Sequence, residues 1–181
     1  MTNVKQVRLS GFGGQGVVLA GTILGHAAVI DGKWVAGSSS YGAQARGGAT
    51  RSDLVIAEGP VVYPHVIEAD ILIALSQTAY DRYVMELAKD ALVLFDNQKV
   101  SPRPMAGIRQ IGIPSSSAAS KELQQEQAAN MVTLGALVSI SGLVSKEALR
   151  RSISEHVSIR YNETSLKAVE VGFTLGERNR Q

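Results

Sequence analysis

Two short apolar runs constrain the fold of this 181-residue chain more than any other feature. Residues 69–75 read ADILIAL and residues 91–95 read ALVLF, so each run is almost continuously apolar. Strands of this kind are buried on both faces, as in a parallel sheet that helices cover on either side. The two runs therefore predict the centre of an α/β fold.

The flanking segments alternate between strand and helix patterns. Further strands are predicted at residues 4–9, 33–37, 52–57 and 109–113, with a hairpin-like return over 58–64. Helices are predicted at 17–30, 78–88, 117–141, 145–156 and 162–176, the last with Asn162 as its N-cap. Because the second and third strands lie close together in the sequence, we expect a mixed sheet. The chain should form a three-layer α/β/α sandwich with a largely parallel sheet and a helical C-terminal part, in one domain spanning 1–181.

Composition excludes several functional classes. The sequence contains no cysteine, which excludes disulfides, thiolate catalysis and cysteine-ligated iron–sulfur or zinc sites. Its three histidines are far apart in the sequence, so we expect no metal site. The net charge is only +2 and no run of Lys or Arg indicates nucleic-acid binding. Without a signal-peptide pattern or a stretch of about 18 apolar residues, we expect a cytoplasmic chain with no membrane span.

A glycine-rich motif, GFGGQG, joins the first predicted strand to the first helix. It consists of residues Gly11 to Gly16 and fits the G-x-G-x-x-G pattern, in which close backbone approach and a helix N-terminus favour an anion. A dinucleotide site also needs an acid at the end of the second strand, but Asp31 lies before that strand and serines 38–40 follow it. Three interpretations stay open: a dinucleotide site, a tightly packed turn, or contact with a phosphate-bearing or partner group.

A second motif, YGAQARGG at residues 41–48, connects the second and third strands. Arg46 directly precedes Gly47 and Gly48, so its guanidinium is carried by a connection rich in small residues. Such a group suits bidentate binding of a phosphate or carboxylate. A ligand anion and a carboxylate of a neighbouring subunit are equally good partners for the Arg46 guanidinium.

Four sequence blocks together resemble the gamma subunit, or gamma domain, of 2-oxoacid:ferredoxin oxidoreductases. In order, they are GFGGQGVVLAGTIL, SYGAQARGGATRSDLVIA, YPHVIEADILIALSQTAYDRY and ANMVTLGALV, which lie within residues 7–140. The form SYGAQARGG, with ALSQ after the buried strand, looks closest to the 2-oxoglutarate enzymes. Pyruvate, branched-chain oxoacid and indolepyruvate enzymes have related gamma-type chains.

The resemblance implies a subunit without catalytic residues of its own. The complex would convert a 2-oxoacid and coenzyme A to acyl-CoA and CO2 while reducing ferredoxin. Thiamine diphosphate, Mg²⁺ and iron–sulfur clusters would belong to alpha and beta subunits and a ferredoxin-like delta subunit. By the same analogy, the candidate residues for contact with coenzyme A are Gly11, Gly13, Gly14, Gln15, Gly16, Tyr41, Gly42, Arg46, Gly47 and Gly48. A free-standing dinucleotide module and a purely architectural subunit are the alternatives.

Overall fold

A mixed sheet with helices on both faces forms the framework of the described residues, which are 4–40 and 49–180 of the computed structural model. The strands are β1 (Val4–Phe12), β2 (Trp34–Ser40), β3 (Ala49–Ala57), β4 (Ala69–Ala74), β5 (Leu87–Asp96) and β6 (Arg109–Ile113). The α-helices are α1 (Val17–Ile30), α2 (Gln77–Tyr83), α3 (Ser115–Leu123), α4 (Ala129–Ser141), α5 (Lys146–His156) and α6 (Ile159–Arg178). A 3₁₀ turn, Glu126–Ala128, precedes α4.

The sheet has the strand order β2-β3-β1-β4-β5-β6. Strands β1, β4, β5 and β6 are parallel neighbours, whereas β3 runs antiparallel to both β1 and β2. This arrangement confirms the predicted parallel association of β1, β4 and β5. It also confirms the mixed sheet expected from the short spacing between the second and third strands.

The central strands are buried on both faces, as their apolar sequences predict. Successive side chains of a strand point to opposite faces. Thus Ile71 and Ile73 belong to the large core beneath α1 and α4, while Leu72 and Ala74 pack with Tyr80 on the side of α2. The three-layer α/β/α prediction is confirmed, and α5 and α6 pack outside α1 and α4.

Helix α4 is the most deeply buried helix of this core. All residues from 130 to 140 are buried, and α6 packs directly on them. A side chain at Gly135 would overlap the carbonyl oxygen of Val169 on α6, and one at Gly172 would overlap the carbonyl oxygen of Val132. Both helices therefore use glycine to bring their backbones together.

Two predictions for the middle of the chain are wrong: the end of α2 and the hairpin-like return. Helix α2 ends at Tyr83 rather than residue 88, because residues from Leu87 already pair with β4. The pairing shifts register between Ala69 and Ile71, and Asp90 in the facing strand has a φ of 59°. Long-range pairing has overridden the local helical pattern. The hairpin-like return predicted over 58–64 contains no strand.

The helical C-terminal part is confirmed, but its divisions differ from the prediction. The helix expected over 117–141 is interrupted where Gln124 adopts a φ of 55°, so α3 and α4 are separate. Asn162 is not an N-cap, because Ser158 holds that position. Instead, Asn162 Nδ2 donates to the Ile153 carbonyl oxygen at 3.2 Å and so ties α6 to α5. None of the helices in residues 4–40 and 49–180 has the length and apolarity needed to cross a membrane.

A buried ion pair holds β1 to β3 on the α2 side of the sheet. Arg8 Nε donates to Asp53 at 2.8 Å, and its guanidinium also bonds Glu86 and lies 4.9 Å from the centre of the Tyr83 ring. Burial opposes the charged form, but the bonds to the two carboxylates outweigh it and raise the pKa of Arg8 above its ordinary value. Arg8 therefore remains charged inside the protein.

Replacing Gly172 with alanine tests the glycine contact between α4 and α6. The new methyl group would press on helix backbone that cannot rotate away, so we expect a loss of about 1–3 kcal/mol in the free energy of unfolding. Gly25→Ala is the matched control, because its nearest neighbours are Leu54 and Val35 carbons at 3.4 and 3.5 Å. That helical substitution should be neutral or stabilising by up to about 1 kcal/mol. Urea unfolding that ranks the two variants equally would contradict the packing account.

Candidate functional site

The glycine motif forms a tight turn between β1 and α1, as predicted. Gly14 has a φ of 98° and Gly16 a φ of 68°, a region that favours glycine. A side chain at Gly11 would come within 2.5 Å of Gln15 Oε1, whereas Gly13 has only Thr50 Oγ1 nearby, at 3.9 Å. The turn thus requires glycine for backbone shape at two positions and for close approach at Gly11.

Gln15 closes the crevice between β1 and β4. Its Oε1 accepts from the Phe12 N–H at 2.6 Å, and its Nε2 donates to the Leu75 carbonyl oxygen at 2.9 Å. Helices α1 and α2 leave these two strands toward opposite faces, and ligands of open α/β sheets bind at such a crevice. The Gln15 carboxamide ties the two strand ends together there.

A cleft of about 400 Å³ lies beside this turn, at the carboxyl ends of β1, β4 and β5. The opposite wall comes from residues 124–130, which comprise the connection between α3 and α4 and the first two residues of α4. Its polar groups are mainly carboxamides, from Gln124, Gln125, Gln127 and Asn130. A second cleft, of about 420 Å³, lies against the same segment and also reaches Gly14 and Gly16.

The charged groups of the first cleft have partners within the protein. Asp96 is buried and accepts from the N–H groups of Gln98 and Ser116, both at 3.0 Å, and from the Ser116 hydroxyl. Lys99 bonds Glu126 at 2.8 Å, and this hydrogen bond raises the pKa of Lys99. The described lining residues include no histidine or cysteine. The lining therefore presents mainly side-chain amides, and its charged groups are paired within the protein.

The second glycine motif begins and ends at this same edge of the sheet. Tyr41, Gly42, Arg46, Gly47 and Gly48 lie outside the described residues. Its attachment points are described, however: β2 ends at Ser40, and Ala49 is the register partner of Phe12. Two motifs that are separate in the sequence are therefore joined to the sheet side by side.

Asn130 is a site residue that the sequence analysis did not select. Its Nδ2 donates to the Gly16 carbonyl oxygen at 3.2 Å, and a side chain at Gly16 would overlap the same carboxamide. Asn130 belongs to the block ANMVTLGALV, one of the four that carry the family resemblance. That block was a signal for the residue, but only the fold shows that it contacts the turn.

Asp31 is not a ribose-binding acid. It follows α1 at the opposite end of that helix from the glycine turn, and its carboxylate accepts from the Ser145 N–H at 2.6 Å and hydroxyl at 2.7 Å. Asp31 therefore holds the N-terminus of α5. The described end of β2 carries Ser38, Ser39 and Ser40 instead of an acid, which disfavours a dinucleotide at this turn.

The family model for pyruvate ferredoxin/flavodoxin oxidoreductases matches residues 6–175, which include both glycine motifs and the segment 124–130. This chain belongs to that family. The 2-oxoglutarate synthase subunit KorC of Methanocaldococcus jannaschii is 42% identical over 176 residues, covering 96% of this chain and 94% of that one. Both matches extend over nearly the whole chain, and they confirm the resemblance inferred from the four blocks.

Two solved structures of oxidoreductases share the fold. The gamma subunit of a keto/oxoacid ferredoxin oxidoreductase from Geobacter sulfurreducens matches with a TM-score of 0.86 at 36% identity, over 96% of this chain and 97% of that one. The 2-oxoglutarate:ferredoxin oxidoreductase of Magnetococcus marinus, solved with 2-oxoglutarate, coenzyme A and succinyl-CoA, matches with a TM-score of 0.88 at 21% identity. That match covers 98% of this chain and 32% of the other, and at this identity it shows the fold alone.

We predict that NAD does not bind at the glycine turn of this family member. The Gln15 carboxamide bonds to backbone groups at both strand ends of the crevice, and Asp31 is engaged with α5. Calorimetric titration of the purified chain with NAD should give no saturable heat. Micromolar binding that is lost in a Gly14→Val variant would contradict this account and favour the dinucleotide module.

Proposed function

We propose that the chain, as one gamma-type domain, is a non-catalytic subunit of a cytoplasmic 2-oxoacid:ferredoxin oxidoreductase complex. The complex would oxidatively decarboxylate 2-oxoglutarate with coenzyme A, giving an acyl-CoA, CO2 and reduced ferredoxin. The match to a 2-oxoglutarate synthase subunit, over 96% of this chain and 94% of that one, carries this proposal. The amide-lined cleft supports it, because most of its polar lining groups are carboxamides and its charged groups are paired within the protein.

The redox and carbanion chemistry would belong to the other chains. Iron–sulfur clusters do not fit this chain, because it has no cysteine to ligate them. The acidic groups of the first cleft are bonded internally to Ser116 and Lys99, so they do not form a Mg²⁺–diphosphate site for thiamine diphosphate. The proposal therefore assigns both cofactors to alpha, beta and ferredoxin-like delta subunits, with ferredoxin as the electron acceptor.

The edge of the sheet that carries both glycine motifs is the proposed coenzyme A-facing surface. At this edge α1 begins without a side-chain cap and without an acidic residue in its first turn, so its N-terminus favours a phosphate. The connection carrying Arg46 leaves and rejoins the sheet at the same edge. Both features suit the phosphates of coenzyme A, with Gly13, Gly14 and Arg46 as the leading contacts.

Pyruvate, branched-chain oxoacids and indolepyruvate are the alternative substrates of the complex. The family name itself refers to pyruvate. The 42% identity to KorC favours 2-oxoglutarate, although the substrate pocket is expected on other chains. Assaying the purified complex with each oxoacid decides among them.

The purified chain alone should be colourless and should not oxidise any 2-oxoacid. Coexpression with its alpha- and beta-type partners should give a stable complex that reduces ferredoxin in the presence of coenzyme A. Size-exclusion chromatography with cofactor analysis and an activity assay measures both outcomes. Oxoacid oxidation by the isolated chain would overturn the subunit assignment.

Arg46→Ala should impair the complex more than the stability of this chain. If Arg46 binds a coenzyme A phosphate, losing a charge-assisted contact of about 1.5–3 kcal/mol should weaken coenzyme A by roughly ten- to a hundredfold. The KM for the 2-oxoacid should change much less. The measurements are the KM for coenzyme A, the mass of the complex and the melting temperature of the chain.

Two further variants separate the possible partners of Arg46. Arg46→Lys retains a point charge but not the bidentate fork, so a bidentate contact should recover only in part. Arg178→Ala is the control, since Arg178 is exposed in the last turn of α6. Weaker assembly with a normal KM for coenzyme A would indicate a carboxylate on another subunit. A large drop in melting temperature with normal kinetics and assembly would show a structural residue and refute the site assignment.

A further inference from the structure

Two histidines that are 130 residues apart in the sequence lie together on the surface. His26 is on α1 and His156 is the last residue of α5, and the centres of their rings are 3.8 Å apart. Glu155 lies beside them, and one ligand atom from each residue falls within 4.8 Å of the others. Packing of α5 on α1 thus brings together two histidines that the sequence keeps far apart.

We propose that His26, Glu155 and His156 bind a divalent transition-metal ion of the zinc class. Two imidazole nitrogens and one carboxylate oxygen are a ligand set that zinc uses when three protein ligands leave a fourth position open. Metal–ligand distances of about 2.0–2.2 Å require the three atoms to converge from their present separations, which rotation of the exposed His26 and Glu155 side chains permits. Water completes the coordination.

The hydrogen bonding of His156 prepares one of its nitrogens for a metal. Its Nδ1 lies 3.0 Å from the carbonyl oxygen of Ser152. A carbonyl oxygen only accepts hydrogen bonds, so Nδ1 carries the proton and the neutral ring keeps a lone pair on Nε2. Metal-binding histidines commonly donate their other N–H in this way, which fixes both the tautomer and the ring orientation.

The scaffold beneath the three residues is held by buried contacts. The hydroxyl of Ser152 on α5 is buried and donates to the Ile23 carbonyl oxygen on α1 at 2.8 Å. This bond lies one helical turn before each histidine. At the other end of α5, Asp31 bonds Ser145. The two helices therefore present the histidines from a fixed separation, as a preorganised site needs.

Glu155 must break an existing ion pair before it can bind the metal. Its carboxylate bonds Arg151 at 2.8 Å, one turn earlier on α5. The Arg151 side chain is 67% exposed, and an exposed pair of this kind contributes little to stability. Arg151 can therefore turn into solvent, so the pair does not prevent Glu155 from binding a metal.

Zinc titration of the chelator-treated, tag-free chain tests the proposal. Calorimetry should show one saturable Zn²⁺ site per chain, and His26→Ala should weaken binding by at least about tenfold, as loss of a direct ligand exceeds a typical outer-shell effect. Free zinc at one hundred times its Kd should raise the melting temperature of the wild type by roughly 5–10 °C. His26→Ala should show no such rise. Mg²⁺ should not compete, since imidazole is not among its preferred ligands.

Matched variants make the result specific to this site. His65→Ala, which removes the third histidine from outside the cluster, should bind zinc like the wild type. His156→Ala and Glu155→Gln should both bind more weakly, and Co²⁺ should give the intense d–d absorption of a tetrahedral site only where all three ligands remain. If circular dichroism shows that His156→Ala is unfolded, His26→Ala and Glu155→Gln decide. No saturable zinc binding by the wild type, or equal binding by His26→Ala, would overturn the proposal.

Discussion

Helix α4 is buried over nearly its whole length, and the rest of the structure depends on how closely α6 approaches it. Gly135 and Gly172 let each backbone touch the other, and Gly176 lies where a side chain would meet Ala136 O at 2.7 Å. Larger residues would move α6 outward and leave the apolar surface of α4 partly exposed. Helix α4 covers the parallel half of the sheet. How closely α4 approaches the sheet therefore also sets the position of the α4 N-terminus.

The N-terminus of α4 connects the packed core to the candidate site. There Asn130 bonds the Gly16 carbonyl oxygen, while Gln15 bonds groups at the ends of β1 and β4. Two side-chain amides thus hold a turn whose glycines have little conformational restriction of their own. The result is a fixed edge of exposed backbone, with the second glycine motif attached beside it. Such a surface suits a ligand or subunit that supplies its own reactive groups.

Much of the fold could be predicted because its central strands are apolar on both faces, which few structures other than a covered sheet allow. The glycine turn was predictable because its pattern, G-x-G-x-x-G, lies within six consecutive residues. Features that depend on distant partners were not: β5 begins at Leu87 because it pairs with β4, and Gln124 interrupts a helical pattern through its backbone conformation. The cleft also escaped prediction, because its far wall, residues 124–130, is more than 100 residues from the turn.

Charged groups and histidines show the same limit of sequence reasoning. Nothing local indicates that Arg8 is buried against Asp53, since its partner lies on another strand. His26 and His156 likewise become neighbours only through the contact of α1 with α5. The family resemblance supplied the functional expectation for the glycine motifs, whereas the structure supplied their common edge. The function expected of the glycine motifs therefore comes from sequence similarity, and their relative position comes from the fold.

The central claim is that this edge faces coenzyme A inside an assembled oxidoreductase. Hydrogen–deuterium exchange on the complete complex, with and without coenzyme A, tests it most directly. The account predicts slower exchange on addition of coenzyme A in peptides covering 11–16 and 41–48, and unchanged exchange in the last turns of α6. Unchanged exchange in both glycine motifs, in a complex that is active and saturated with coenzyme A, would contradict it.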